Sequence, residues 1–426
     1  MTWSRLDLGV GIVAAPGLDL LWDGISDLVD VIEVEPQTMW TARPGGWDLT
    51  EPAYEWVAGT GRPTLAHGVA FPVGGCEPPD PAGVALTAVS ADRLSAAHWS
   101  EHLSFNRAAA GGSVIDAGFF LPPAQTPGGV EVAASHVARY QAASPLPFLV
   151  ETGVSYLRPR DGELSDGAFI GGVARAADCG ILLDLHNLLA NERNGRQPVA
   201  GVLAELPLER VLEVHVAGGF TVAGYYLDAH IGSPDDELLA LVADVLPRLP
   251  NLRALVYEAV PESLSTLGAG GLRAILTALH RIWDAAGPGR GGTVLSPAAA
   301  LAGTVKAGSG GRPWPVDAGP PPGERAIACP IARSWENSLA GYTARFSDEP
   351  PADDPGIGLL RWLSDQARLG QLTLARPDLL RQLLAGGGPD ATEQLLLRYL
   401  RARTPKAWPA DEGAQFADWL AGQPRP

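Results

Sequence analysis

Ten side chains with oxygen or imidazole donor atoms fall at or just beyond the ends of short apolar runs. His67 lies in "PTLAHGVA" (63–70), His102 in "HWSEHLSF" (98–105) and Glu151 in "PFLVETG" (147–153). Asp184, His186 and Asn187 close "GILLDLHN" (180–187). His215 sits in "VLEVHVAG" (211–218) and Glu258 in "RALVYEAV" (253–260). The segment "YYLDAHIGSP" (225–234) adds Asp228 and His230. Any one of these alone reads as a buried hydrogen-bonding group with a satisfied partner. A set drawn from six consecutive runs reads differently, because burying so many ionisable groups costs several kcal/mol each unless something pairs with them. No lysine and few arginines lie in these segments. Metal cations are the simplest remaining partner. Imidazole and carboxylate without cysteine disfavour Cu(I) and iron–sulfur chemistry and suit Fe, Mn or Zn. The donors exceed what one ion needs if positions stay open for a substrate, so two ions are the minimum and there is room for three.

The elements that must bring these ends together are legible in the same runs. With "LDLGVGIVA" (6–14) and "VDVIEVEP" (29–36) there are eight, each of strand length and most of them near-continuously apolar. Parallel strands buried on both faces have that pattern. Stretches with helical spacing alternate with them, at 17–28, 84–97, 130–143, 167–178, 198–209, 234–249 and 270–287. This predicts a (β/α)8 TIM barrel whose site lies at the C-terminal rim of the strands. A doubly wound sheet is the rival, but "GVGIVAAPG" lacks the glycine-rich first turn usual there. On the second run Glu33 and Glu35 share one face. They are read as acceptors for histidine N–H groups, or as half of a salt bridge inside the barrel. His186 is read as supporting the site by packing or hydrogen bonding. His98, His136 and His280, at a strand start and within helices, are read as structural. Tyr225 and Tyr226 are read as loop packing.

Residues 1–286 are expected to form the metal-binding catalytic barrel. A Gly/Pro-rich linker is expected over 287–328, and an α-helical accessory domain without histidine over 329–426. The formal net charge of −17 argues against a nucleic-acid or anionic-membrane surface, which would need a basic patch. Cys76, Cys179 and Cys329 are scattered and odd in number, so neither a disulfide framework nor a zinc knuckle is indicated. The N-terminus lacks a charged-then-apolar signal pattern. No apolar run reaches the roughly 18 residues of a membrane span. The cytoplasm is the expected location.

Seven segments, in order, carry a family resemblance: "HGVAFPVGG" (67–75), "SEHLSF" (100–105), "VETGVSYL" (150–157), "CGILLDLHNLLANERNG" (179–195), "EVHVAGG" (213–219), "DAHIGSPDDEL" (228–238) and "YEAVPES" (257–263). Over about residues 5–285 the chain resembles the DUF692 family, the multinuclear non-haem iron-dependent oxidative enzymes. The resemblance implies a TIM barrel holding two or three irons. It also implies O2-dependent oxidation of a ribosomally made precursor peptide, often at cysteine, and in many members a partner protein that presents the peptide. The implied metal ligands are His67, His102, Glu151, Asp184, Asn187, His215, Asp228, His230 and Glu258. Asn187 stands where some members have histidine. Gln37 and Thr38 replace a Glu-Asn pair common in the family on the second strand, which bears on the substrate pocket and not on the metal set. From the residues alone, two further readings stay open: a divalent-metal isomerase or hydrolase acting on a sugar or phosphoester, and a non-catalytic metal-binding scaffold.

Overall fold

The eight apolar runs become eight parallel strands that close on themselves. In a computed structural model, residues 6–43, 46–110, 112–286 and 329–423 are described. The barrel strands are β1 (Gly9–Val13), β2 (Val31–Val34), β3 (Thr64–Gly68) and β4 (Trp99–His102). They continue with β5 (Phe148–Glu151), β6 (Gly180–Asp184), β7 (Val211–Val216) and β8 (Ala254–Tyr257). Each strand pairs with its sequence neighbour, and β8 returns to β1 through Gly9↔Ala254. This is the TIM-barrel arrangement expected from the sequence. All residues of β1, β6 and β7 are buried, as strands covered on both faces must be. Register sets the site: His67 pairs with Ser100, His102 with Glu151, and Asp184 with His215.

Helices return the chain between strands, several of them started by side-chain caps. Asp80, Thr126, Ser165 and Asp235 each accept a backbone N–H from the first turn of the helix they precede. Two expectations are corrected. The helix read over 17–28 is instead a pair of short 3-10 turns, Trp22–Gly24 and Ser26–Leu28. Gly24 lies so close to the helix Pro261–Ala285 that an added Cβ would stand 2.7 Å from Ala269. The missing side chain lets the segment lie against that helix, and Leu18, Ile25 and Val29 are buried without a regular helix. The strand read as "GILLDLHN" ends at Asp184, and Leu185–Arg193 is helical. The Asp184 carboxylate turns the chain by accepting the Asn187 N–H at 2.8 Å. His186 and Asn187 therefore occupy a first helical turn and not a strand end.

Among the described residues, three hairpins that the sequence reading passed over stand on the loops: Trp40–Arg43 with Gly46–Leu49, Phe105–Ala110 with Ser113–Leu121, and Gly219–Val222 with Tyr225–Asp228. In the third, Ala223 and Gly224 both have positive φ (50° and 86°), the geometry of a tight hairpin turn. Tyr225 and Tyr226 thus lie in a strand.

Beyond the barrel come the helices Pro330–Thr343, Pro355–Ala375, Pro377–Ala402 and Pro409–Ala421. The third breaks at Gly388 (φ 74°). Leu372, Tyr399, Leu400, Phe416 and Trp419 form their own apolar cluster. A second cluster joins them to the barrel loops through Phe105, Leu121, Tyr156, Leu339, Ile357 and Leu360. The Glu336 carboxylate accepts the N–H groups of Cys76 (2.7 Å) and Ala124 (3.4 Å). The expected linker, 287–328, lies outside the described residues.

Candidate metal centre at the barrel mouth

The register brings the chemistry-bearing side chains to one end of the barrel. His67 Nε2 and His102 Nε2 lie 3.4 and 3.1 Å from the same oxygen, Glu151 Oε2. Donor atoms of His67, His102 and Glu151 all lie within 4.8 Å of one another, and so do those of Glu151, Asp184, His215 and Glu258. Glu151 belongs to both groups. Beside them His230 Nε2 stands 2.7 Å from Asp228 Oδ1, and His230 Nδ1 3.3 Å from Glu258 Oε1. His230 has a positive φ of 53°, so its backbone is bent to present the ring. Asn187 donates its amide N–H to the Thr152 carbonyl at 3.3 Å.

The residues fit cations better than they fit each other. His67 Nε2, Glu151 Oε2, Asp184 Oδ2, Asn187 Oδ1 and His230 Nε2 are buried atoms with no hydrogen-bond partner. Several are at ion-pair range without hydrogen-bond alignment, as lone pairs aimed at a common point would be. Unsatisfied buried groups are rare in folded proteins, and this many in one place is unusual. His67, Asp184 and His215 are fully buried, whereas the side chains of His102 and His230 keep 18% and 23% exposure. The outer side is therefore where a substrate group can arrive.

Crowded charge shifts the carboxyls. Burial, followed by the neighbouring Glu258 charge, raises Glu151 to about 8 against the pull of His102. Burial and the Asp228 charge raise Asp184 to about 6. Burial works against a charged His102, but the Glu151 and Glu101 carboxylates outweigh it and raise His102 to about 10. A bound cation relieves this strain by compensating the carboxylates and holding imidazole as a neutral ligand.

Most of the histidines are oriented from behind. His67 Nδ1 meets Ser100 Oγ at 2.8 Å. His102 Nδ1 donates to the Gly68 carbonyl at 3.0 Å and lies 3.2 Å from Glu101 Oε1. His215 Nε2 stands 3.0 Å from Glu33 Oε1. His186 Nδ1 bonds Asp228 Oδ1 at 3.1 Å, while its Nε2 is buried without a hydrogen-bond partner. Glu35 lies just past β2 and makes none of these contacts. Burial, then the Glu258 charge, raises it to about 7. His98 bonds Glu213 (2.9 Å), while His136 and His280 donate to the carbonyls of Val73 and Leu28.

Residues absent from the sequence reading also shape the site. Glu213 stands between His98 and His215, and its i, i+2 spacing from His215 on β7 was an available signal. Glu101 is fully buried and accepts the backbone N–H groups of His102 and Phe71, at 2.9 and 3.1 Å. Apart from the adjacent His102, its partners come from other segments, Phe71 and the Tyr140 hydroxyl, so its role is not visible locally. Phe120 lies with its ring 4.4 Å from that of His102.

A UPF0276 protein of Streptomyces avermitilis is 32% identical over 193 residues, covering 44% of this chain and 39% of that protein. One of Chromobacterium violaceum is 32% identical over 213 residues, covering 50% and 76%. The chain thus spans well under half the length of the first relative and about three quarters of the second. In fold it is similar to a xylose isomerase domain protein from Planctomyces limnophilus, at 13% identity and TM-score 0.43, over 65% of this chain and 97% of that one. Endonuclease IV from Thermus thermophilus is similar at 17% identity and TM-score 0.42, over 65% and 99%. These structural likenesses are too remote to bear on chemistry. A family model described as "RiPP precursor modification enzyme MbnB/TglH/ChrH" matches residues 22–259, more than half the chain and every barrel strand but the first. The resemblance to DUF692 drawn from seven segments holds, and the chain belongs to the MbnB/TglH/ChrH family of enzymes that modify precursors of ribosomally made peptides.

Proposed function

We propose that this protein is an iron-dependent, O2-using enzyme that oxidises a side chain of a ribosomally made precursor peptide, at cysteine, in the cytoplasm. The observation that carries the reading is the convergence of unpartnered buried donor atoms on two groups that share Glu151. In this reading His67, His102 and Glu151 hold one iron. Asp184, His215 and Glu258, together with Glu151, would hold a second. Asn187, Asp228 and His230 supply the donors for a third. Bound iron would supply one-electron redox chemistry and a place for O2. The chain's own part is geometric and electrostatic. Ser100, Glu101, Gly68 and Glu33 fix which imidazole nitrogen faces the centre. The closed inner side, formed by buried His67, Asp184 and His215, excludes water. The partly open His102 and His230 mark where the peptide side chain enters, and a partner protein that presents the peptide would approach from that side.

Metal analysis and Mössbauer spectroscopy of protein purified without oxygen test the reading. Two or more irons per chain are expected. Less than one equivalent after reconstitution overturns it. Conversion of a sugar or phosphoester under strict anaerobiosis, with Mn or Zn bound, would point instead to an isomerase or hydrolase.

A further inference from the structure

The helix Pro355–Ala375 grips the barrel at two places, and each grip leads to a side chain at the metal centre. The first is its N-terminal turn. Asp354 caps it, accepting the Gly356 N–H at 2.8 Å through Oδ1 and the Arg158 N–H at 2.8 Å through Oδ2. Gly356 is pressed so close to the loop after β5 that the Tyr156 carbonyl leaves no room for a Cβ. Tyr156 is 3% exposed, and its hydroxyl accepts the N–H of Asp228 at 3.1 Å. The second grip lies further along the helix. Ser364 Oγ donates to the Ala117 carbonyl at 2.8 Å. The next residue, Gly118, has φ +79°, and an added Cβ would stand 2.6 Å from Ser364 Oγ. Two residues on, Phe120 lies against His102, the rings 4.4 Å apart. Ala117, Leu121, Tyr156, Ile357 and Leu360 are buried in one apolar cluster, so helix, hairpin and loop pack as a unit. Close packing of this kind passes a displacement on rather than absorbing it.

We propose that this helix is a clamp that sets the outer wall of the metal centre, with Tyr156 and Phe120 as positioning residues for Asp228 and His102. The proposal takes its functional meaning from the metal reading and its geometry from the contacts alone. It gives the C-terminal helices a structural task beside the site. The clamped side is also the open side: His102 keeps 18% exposure and His230, beside Asp228, 23%. A loosened wall would disturb the outer ligands and leave His67, Asp184 and His215 in place.

The test uses the full chain and two readouts. Hydrogen exchange of the metal-free protein follows the Asp228 amide, and chelator extraction of the loaded protein follows metal release. Tyr156→Phe removes the acceptor of the Asp228 N–H, so exchange there should rise about five- to tenfold, the effect of losing one hydrogen bond. Gly356→Ala touches no site residue but forces the Tyr156 loop away. It should accelerate the same amide, and the double variant should be no faster than the faster single one. Both variants should speed release of one metal equivalent and leave the rest unchanged. If Gly356→Ala does not fold, Ser364→Ala, which removes only one hydrogen bond, should raise exchange across 105–121. A lower unfolding temperature with unchanged exchange at Asp228 and across the 105–121 hairpin would overturn the clamp. Wild-type protein that takes up no metal would instead refute the proposed function, and the exchange data would still decide the clamp.

Discussion

Asp184 has two tasks on two oxygens, and two substitutions separate them. Oδ1 accepts the Asn187 N–H at 2.8 Å and starts the helix Leu185–Arg193, whereas Oδ2 is buried, without a hydrogen-bond partner, in the group shared with Glu151, His215 and Glu258. Asparagine caps helices as well as aspartate does, so Asp184→Asn keeps the turn and removes the charge. In the metal-free protein that charge is a burden. Burial and the Asp228 carboxylate raise the group from an ordinary 3.8 to about 6. An acid whose pKa is higher when folded binds more protons folded than unfolded. Its cost therefore grows as pH rises from 3.8 to 6 and is complete at pH 7. Two pKa units correspond to roughly 3 kcal/mol. Metal-free Asp184→Asn should thus be more stable than wild type at pH 7, by up to about 3 kcal/mol. Asp184→Ala loses the cap as well, so it should fall about 1–2 kcal/mol below the asparagine variant. Both should bind metal far more weakly, beyond the roughly ten- to hundredfold seen when only an orienting partner of a ligand is lost. Denaturant unfolding of chelator-treated protein and metal titration measure the two effects. The capping account fails if the asparagine variant is no more stable than the alanine one. The ligand account fails if the asparagine variant binds metal as wild type does.

Other substitutions probe the surroundings. Glu101→Gln sets an amide NH2 against one of two backbone donors, His102 N–H or Phe71 N–H. It should weaken metal binding about ten- to hundredfold in a metal titration, with the barrel still folded. His136 is buried, which lowers it to about 4 despite its bond to the Val73 carbonyl. It stays neutral when folded but protonates below about 6.5 when unfolded, so between pH 6.5 and 4 it should remove on the order of 3 kcal/mol of stability. His136→Asn should flatten that part of the stability–pH curve. Arg368 and Glu412, 1% and 0% exposed, pair at 2.8 Å within the C-terminal helices. Arg368→Ala should cost about 3–5 kcal/mol in thermal unfolding by leaving the buried Glu412 charge uncompensated.

How much of this was legible in the sequence follows from the range of the forces involved. Strand-length apolar runs and helical spacing are local, and they determined the barrel, its strand order and the end at which His67, His102, Glu151, Asp184, His215 and Glu258 gather. The donor types, with no lysine among them, pointed to a cation. Tertiary structure decided what depends on partners distant in the chain. The apolar run through Asp184 reads as a continuing strand, and only the folded turn shows the carboxylate capping a helix instead. Glu101 looks like an ordinary strand carboxylate until the Phe71 N–H, 30 positions away, meets it, and beyond its spacing from His215 nothing marks Glu213 until His98, 115 positions away, bonds it. The hairpin of Phe105–Ala110 with Ser113–Leu121 lacks clean alternation because it leans on the C-terminal helices rather than on a sheet. The contact of residues 354–364 with Tyr156 and Ala117 exists only because close packing brings Gly356 and Gly118 where a side chain would not fit. Composition and periodicity carry the identity of the donors, but their register, their unsatisfied atoms and the wall around them are properties of the closed barrel.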